Sequence, residues 1–295
     1  MTPKRRRAAR HSAPRERCGR SPRMANANDA PLGVFDSGLG GLTVVRALRQ
    51  ALPEEDIVYL GDTARVPYGT RAPDTVVKYA IGCTKYLVSR KVKAIVIACN
   101  TVSAVAPERL RVEFDLPILG VIEPSARAAV AATKKNKIGV LATAATIASG
   151  AYSRAVSTMS TRCEVVGQAA PLLVPLAEEG WTEGEVPRLA ARRYLEPLAG
   201  AGVDVVVLGC THYPLLRGVL ESETRSLLGA ETKIVDSASA IAQDVHAFLH
   251  GRGLARSGGG KGALSLTVTD VPKTFATVAA RFLGEETHDV AQVDL

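Results

Sequence analysis

The sequence predicts an α/β protein made of two similar doubly wound parallel-sheet domains facing a shared cleft. Three observations carry that expectation. From Pro31 onward, short Val/Ile-rich runs alternate with longer amphipathic segments, the pattern of strands buried on both faces and the helices that cover them. The run Ala94-Ile-Val-Ile-Ala-Cys99-Asn100-Thr101 ends an apolar strand in a cysteine, then small polar residues, then a helical pattern. Val203-Asp-Val-Val-Val-Leu-Gly-Cys210-Thr211-His212 repeats it 111 positions later. A weaker echo pairs Gly33-Val-Phe-Asp36-Ser37-Gly38 with Gly139-Val-Leu-Ala-Thr143-Ala.

In chain order, apolar β-rich runs place strands at 32–36, 56–60, 94–98, 118–122, 138–142, 164–167, 203–208, 233–235 and 264–268. Amphipathic spacing places helices between them at 43–52, 74–89, 102–114, 124–133, 183–198 and 238–249. The Gly/Ser stretch 257–262 reads as a flexible linker before a final strand-helix unit. One domain is expected over 31–121, completed by 237–285, and the other over 122–236. In doubly wound sheets ligands sit outside the carboxyl ends of strands, so the residues just after each strand are the ones to examine.

Composition bounds the rest. Of 295 residues, 46% are hydrophobic and 22% charged, enough for one large core or two smaller ones. No apolar run approaches the roughly 20 residues of a membrane span, and no apolar segment follows the basic N-terminus as in a signal peptide, so a cytoplasmic protein is expected. The net charge of +8 is local: residues 1–29 hold nine Lys/Arg against Glu16 and Asp29, leaving +1 for 30–295. That extension lacks apolar periodicity and reads as disordered, with Met24 as an alternative start. A nucleic-acid-binding arm is the competing reading of it.

Five cysteines, Cys18, Cys83, Cys99, Cys163 and Cys210, are an odd number without framework spacing, so thiols rather than disulfides are expected. Cys83, within a helical pattern, and Cys163, at a strand start, read as packing. Two thiols at equivalent strand ends can serve proton traffic. A thiol tuned by a helix N-terminus acts as base in one state and acid in the other. Two of them on opposite faces of a carbon invert it. Asn100, Thr101, Thr211 and His212 beside the cysteines, and Asp36 with Ser37, are candidates to hold an amino acid's charged groups.

Gly33-Val-Phe-Asp-Ser-Gly-Leu-Gly-Gly41, Gly61-Asp62-Thr63 with Pro67-Tyr68-Gly69, Ala98-Cys-Asn-Thr101 and Leu208-Gly-Cys-Thr-His-Tyr-Pro-Leu215 occur in that order. They resemble the four signature blocks of the glutamate racemases, and the resemblance runs from about 31 to 285. It implies a racemase for L- and D-glutamate needing no cofactor or metal, supplying D-glutamate for peptidoglycan, with Cys99 and Cys210 as the two bases. It implies substrate contacts at Asp36, Ser37, Tyr68, Gly69, Asn100, Thr101, Thr211 and His212. Where the family usually has Gly-Thr-x-Gly-Thr, this chain has Ala142-Thr143-Ala-Ala-Thr146, which retains Thr143 and Thr146 as candidate contacts. The family's acid in the segment matching Pro175-Leu-Ala-Glu178-Glu179 falls best on Glu178, with Glu179 adjacent. By the same resemblance Asp36 sits near Cys99, with Glu178 and His212 serving Cys210. A homodimer is the expected assembly.

Other readings have less behind them. A zinc site on Cys99, Cys210 and His212 lacks a fourth ligand with motif spacing. No Cys-x-x-Cys redox pair exists, and Gly38-Leu-Gly-Gly41 fails the dinucleotide-loop spacing because position 43 is Thr. An aspartate or hydantoin racemase is the nearest enzyme alternative. From another class, a regulatory protein contacting DNA or a topoisomerase is the alternative. His246 and His250 read as ordinary helix residues.

Overall fold

The structure, a computed structural model, describes residues 27–271, 273–287 and 289–295. It is a mixed α/β molecule with two parallel sheets. The first sheet has the order β10-β9-β2-β1-β3-β4 and the second β6-β5-β7-β8. The strands are β1 (Leu32–Asp36), β2 (Ile57–Gly61), β3 (Ala94–Ile97), β4 (Ile118–Gly120), β5 (Lys137–Ala142), β6 (Glu164–Ala169), β7 (Val205–Gly209), β8 (Lys233–Asp236), β9 (Leu264–Val268) and β10 (Val290–Gln292). Every pairing is parallel. All nine expected strands form, and β10 adds a tenth beyond the expected end at 285. Strands β1, β2, β3 and β7 are buried at every position, as their unbroken apolar runs require.

The order β2-β1-β3-β4 recurs as β6-β5-β7-β8. Strand β1 is thus the counterpart of β5, and β3 of β7. This is the structural form of the two sequence echoes: Cys99 follows β3, Cys210 follows β7, Asp36 ends β1 and Thr143 follows β5. The chain leaves the first sheet after β4, builds the second from β5 to β8, and returns to add β9 and β10 beside β2.

The helices depart more from expectation. α1 (Leu42–Ala51), α2 (Pro73–Ser89), α5 (Ile122–Ala132), α9 (Glu185–Gly200) and α11 (Ser237–Gly251) match within a few residues. The single helix expected over 102–114 is two, α3 (Asn100–Val105) and α4 (Pro107–Glu113). Pro107 has no N–H to continue α3 and is instead favoured in the first turn of α4. Four helices were not expected: α6 (Ala144–Ala148), α7 (Ala151–Met159), α8 (Leu173–Glu179) and α10 (Arg217–Leu228). The first and third are too short for a periodic signal. α10 carries so few apolar residues that its buried face includes Glu223, neutralised by Arg188 and Arg192 of α9. The closing helix is α12 (Phe275–Leu283).

Of the basic extension expected over 1–29, residues 1–26 lie outside the described residues, while Ala27–Asp29 form a 3₁₀ turn. Asn28 is tied in by its amide donating to the Gly253 carbonyl at 2.8 Å. The stretch expected to be a flexible linker is pinned at both ends. The Arg256 N–H donates to Glu55 at 2.7 Å and the Gly262 N–H to the Pro53 carbonyl at 2.8 Å. A Cβ on Gly262 would lie 2.0 Å from the Glu55 carbonyl oxygen, so only glycine fits there. Glu55 itself is buried and paired with buried Lys93 at 2.5 Å. No described helix is long and apolar enough to cross a membrane.

Candidate active site

The carboxyl ends of the central strands of both sheets meet at a cavity of about 250 Å3. Cys99 and Cys210 both line it, one from each half, and each is only 6% exposed. Ser37, Tyr68, Gly69, Asn100, Thr101, Thr143, Glu178, Thr211 and His212 line it too. Asp36 and Thr146 do not; both sit behind the wall, almost fully buried.

On the first side, Cys99 caps α3 and its thiol donates to Ser37 Oγ at 3.5 Å. The expected tuning of this thiol toward neutrality is absent. Burial pushes it up to about 12, the nearby Asp36 carboxylate pushes the same way, and the Ser37 bond and helix N-terminus only partly oppose them. Asp36 is itself raised by burial, against the opposing charge of His212 and the neighbouring backbone N–H groups. The Gly38 N–H donates to Asp36 Oδ2 at 3.1 Å, and a Cβ on Gly41 would stand 2.4 Å from Asp36 Cβ. Glycine at 41 is what lets the loop fold over that carboxylate.

The second side is arranged differently. Cys210 is followed not by an α-helix but by a 3₁₀ turn at Tyr213–Leu216, so the expected helix-terminus effect gives way to a side-chain partner. His212 Nδ1 lies 3.7 Å from Cys210 Sγ, and Nε2 lies 3.0 Å from Glu178 Oε1. Burial alone would lower the imidazole. Its bonds to Cys210 and Glu178 outweigh that and raise it to about 10. At neutral pH the ring is therefore charged. Glu178, not Glu179, makes this contact. Phe282 of α12 packs edge-on against the ring at 5.1 Å.

The polar wall between the thiols is internally bonded. The Thr101, Thr143 and Thr146 hydroxyls lie 2.9–3.2 Å apart and join the halves. Asn100 is fixed by the Tyr152 hydroxyl donating to Oδ1 at 2.7 Å and by its own Nδ2 donating to Ser237 at 3.3 Å. One amide hydrogen remains free for a ligand. The Thr211 carbonyl accepts from Thr43 at 3.0 Å. The Tyr68 hydroxyl donates to Asp62, which Arg65 and Thr269 also hold. What Tyr68 and Gly69 can offer a ligand is main chain.

The sequence reading did not single out Val66, Pro67, Pro171, Val174 and Pro175, which form the apolar part of the lining, nor Tyr152, Ser237 and Thr43 behind it. Only their nearness to Tyr68 and Glu178 could have flagged the first group. Cys83 and Cys163 lie away from the cavity, as expected, and the His246 ring lies tilted against that of His250 in α11. Among the described residues no group of three or more His, Cys, Asp and Glu side chains is placed to hold a metal ion.

Comparison with known proteins places this geometry. Residues 40–245 match the Asp/Glu/hydantoin racemase family. A glutamate racemase of Geobacter metallireducens is 50% identical over 264 residues, covering 90% of this chain and 96% of the relative. Among solved structures, the glutamate racemase of Thermus thermophilus in complex with β-chloro-D-alanine superposes with a TM-score of 0.81 at 42% identity, covering 91% of this chain and 98% of that one. The Francisella tularensis glutamate racemase in complex with D-glutamate gives 0.83 at 34% identity, covering 90% and 98%. Fold and comparisons define the class, an isomerase that racemises without a cofactor. The chain belongs to the Asp/Glu/hydantoin racemase family, and relatives 46–50% identical to it are glutamate racemases.

Proposed function

We propose that the protein interconverts L- and D-glutamate by carrying the α-proton between Cys210 and Cys99, and that it supplies D-glutamate for peptidoglycan from the cytoplasm as a homodimer. The observation that carries the reading is that the two thiols line one small cavity from equivalent strands of the two halves. We take 31–121 with 237–285 as one domain and 122–236 as the other, with substrate held between them.

The electrostatics divide the labour. Cys99, pushed up to about 12, rests as a neutral thiol and is ready to donate. Cys210 lies beside a charged His212. In the L-to-D direction Cys210 removes the α-proton from one face and Cys99 delivers its own to the other. Afterwards Cys99 carries the charge and the site is set for D-glutamate. Asp36, Ser37 and the His212–Glu178 pair return each thiol to its starting state. The α-carbon acid is far weaker than a thiol, so Asn100, Thr101 and Thr211 must stabilise the carbanion-like state with donors in a dry cleft. Ser37, Thr143 with Thr146 behind it, and the main chain at Tyr68 and Gly69 hold the substrate's charged ends.

The test is incubation with each enantiomer in D2O without added cofactor, following circular dichroism and α-deuterium. Racemisation of both should be seen. Cys99→Ala and Cys210→Ala should each lose it. Cys210→Ala should still exchange the α-proton of D-glutamate, and Cys99→Ala that of L-glutamate. Exchange of the same enantiomer by both variants would overturn the assignment, and faster turnover of aspartate would overturn the substrate.

A further inference from the structure

A second, larger hollow of about 950 Å3 lies against the catalytic cavity. The two share a thin wall. Thr70 lines the cavity and Arg71 the outer groove, Ala144 and Ala145 divide the same way, and Thr101 borders both. Thr101 belongs to the first half and Thr143 to the second, so the wall is a seam between the halves. It is held by the Thr101–Thr143–Thr146 hydroxyl triangle and by the close approach of Gly69 to Thr143. Hydroxyl pairs of this kind exchange with water at a net ~0.5–1.5 kcal/mol each, so the seam parts more readily than a packed core.

Charge distinguishes the two approaches to the thiols. The groove presents exposed Arg71 on one side of the seam and exposed Arg154 on the other, neither in an ion pair among the described residues, and with Arg111 they outnumber the groove's two carboxylates, Glu108 and Glu123. Arg154 spends one N–H on the Ser149 carbonyl; Arg111, also in the groove, lies 4.0 Å from Glu123. The catalytic cavity's own exposed lining includes Val66, Pro67, Pro171 and Pro175 with the Glu178 carboxylate, which is paired with His212. An amino dicarboxylate with a net negative charge is drawn to the groove's excess of arginines more than to this balanced pair.

We propose that the groove is a binding antechamber for an amino dicarboxylate, which passes to the two thiols when the Thr101–Thr143 seam parts. The inference rests on the glutamate reading for the charge of the anion. Its test reads access without turnover: rates of alkylation of Cys99 and Cys210 by anionic iodoacetate and neutral iodoacetamide, resolved by peptide mass spectrometry. The Arg71→Glu/Arg154→Glu double variant should lower the iodoacetate rate relative to the iodoacetamide rate by about tenfold at low ionic strength, converging on wild type at high salt. Arg193→Glu, away from the groove, should leave the ratio unchanged. Ala148→Trp, which plugs the groove, should slow both reagents at an unaltered melting temperature. A reagent ratio unmoved by the double reversal, or a plugged groove with wild-type rates for both, overturns the proposal. A wild-type chain that failed to racemise glutamate would instead sink the proposed function, with the ratios still deciding the route.

Discussion

Gly40→Ala probes how closely His212 must be held. An ideal Cβ at position 40 would stand 2.5 Å from His212 Cε1, 2.6 Å from Nδ1 and 2.5 Å from Thr211 Oγ1. Non-bonded atoms rest at about 3.5–4.0 Å, so the ring must retreat by roughly 1 Å. It cannot move alone, because Nε2 is bonded to Glu178 and Phe282 packs against its face. A displacement of that size at a proton-transferring group costs about 100-fold in rate, or about 2.7 kcal/mol of barrier. Overpacking should also cost about 1–3 kcal/mol of stability. The assay is circular dichroism from each enantiomer, with thermal melting alongside. Enantiomers are equal in energy, so kcat/KM must fall by the same factor in both directions. Gly218→Ala, in α10 with nothing within 4 Å of the new methyl, is the control and should racemise normally. A folded Gly40→Ala enzyme keeping half or more of the wild-type activity would refute the idea that this loop sets the imidazole.

Three further outcomes are expected. His212 is raised from 6.5 to about 10, so its contribution to stability should be complete below pH 6.5 and lost as pH rises through about 10. Urea midpoints across that range should fall for wild type and less for His212→Gln, while Glu178→Gln should move the alkaline limb of activity to lower pH. Lys93→Met strands the Glu55 carboxylate, 2% exposed, and should cost about 3–5 kcal/mol in denaturant titrations, much of it recovered by adding Glu55→Leu. Gly69→Ala puts a Cβ 2.9 Å from Thr143 Cβ and should wedge the seam, raising KM several-fold more than it lowers kcat in initial-rate measurements.

What the sequence disclosed follows from where side chains lie. A parallel strand buried on both faces must be continuously apolar, so β1, β3 and β7 could be read directly, and the repeated strand-cysteine unit marked both thiols. α8 and α10 were hidden because one is only seven residues long and the other buries a carboxylate that the arginines of α9 make tolerable. The protonation of the site was hidden as well. The shift at Cys99 comes from burial and from Asp36, 63 positions earlier in the chain, and no local pattern carries that. Tyr68 shows the same limit at short range: its place on the wall was legible, but the capture of its hydroxyl by Asp62 was not.

The return of the chain to the first sheet has a consequence during synthesis on the ribosome. Strand β9 pairs with β2 in register from Ile57↔Leu264 to Gly61↔Val268, so roughly 200 residues of chain separate the partners. At translation speeds of about 5–20 residues per second, β2 waits on the order of 10–40 s with one edge uncovered. The four strands of the second sheet all lie within 137–236 and can close before β9 has been made. The half translated second is therefore the one able to finish first. Until β9 arrives, the nascent β2 edge is the place where chaperones, or neighbouring nascent chains, have their opportunity.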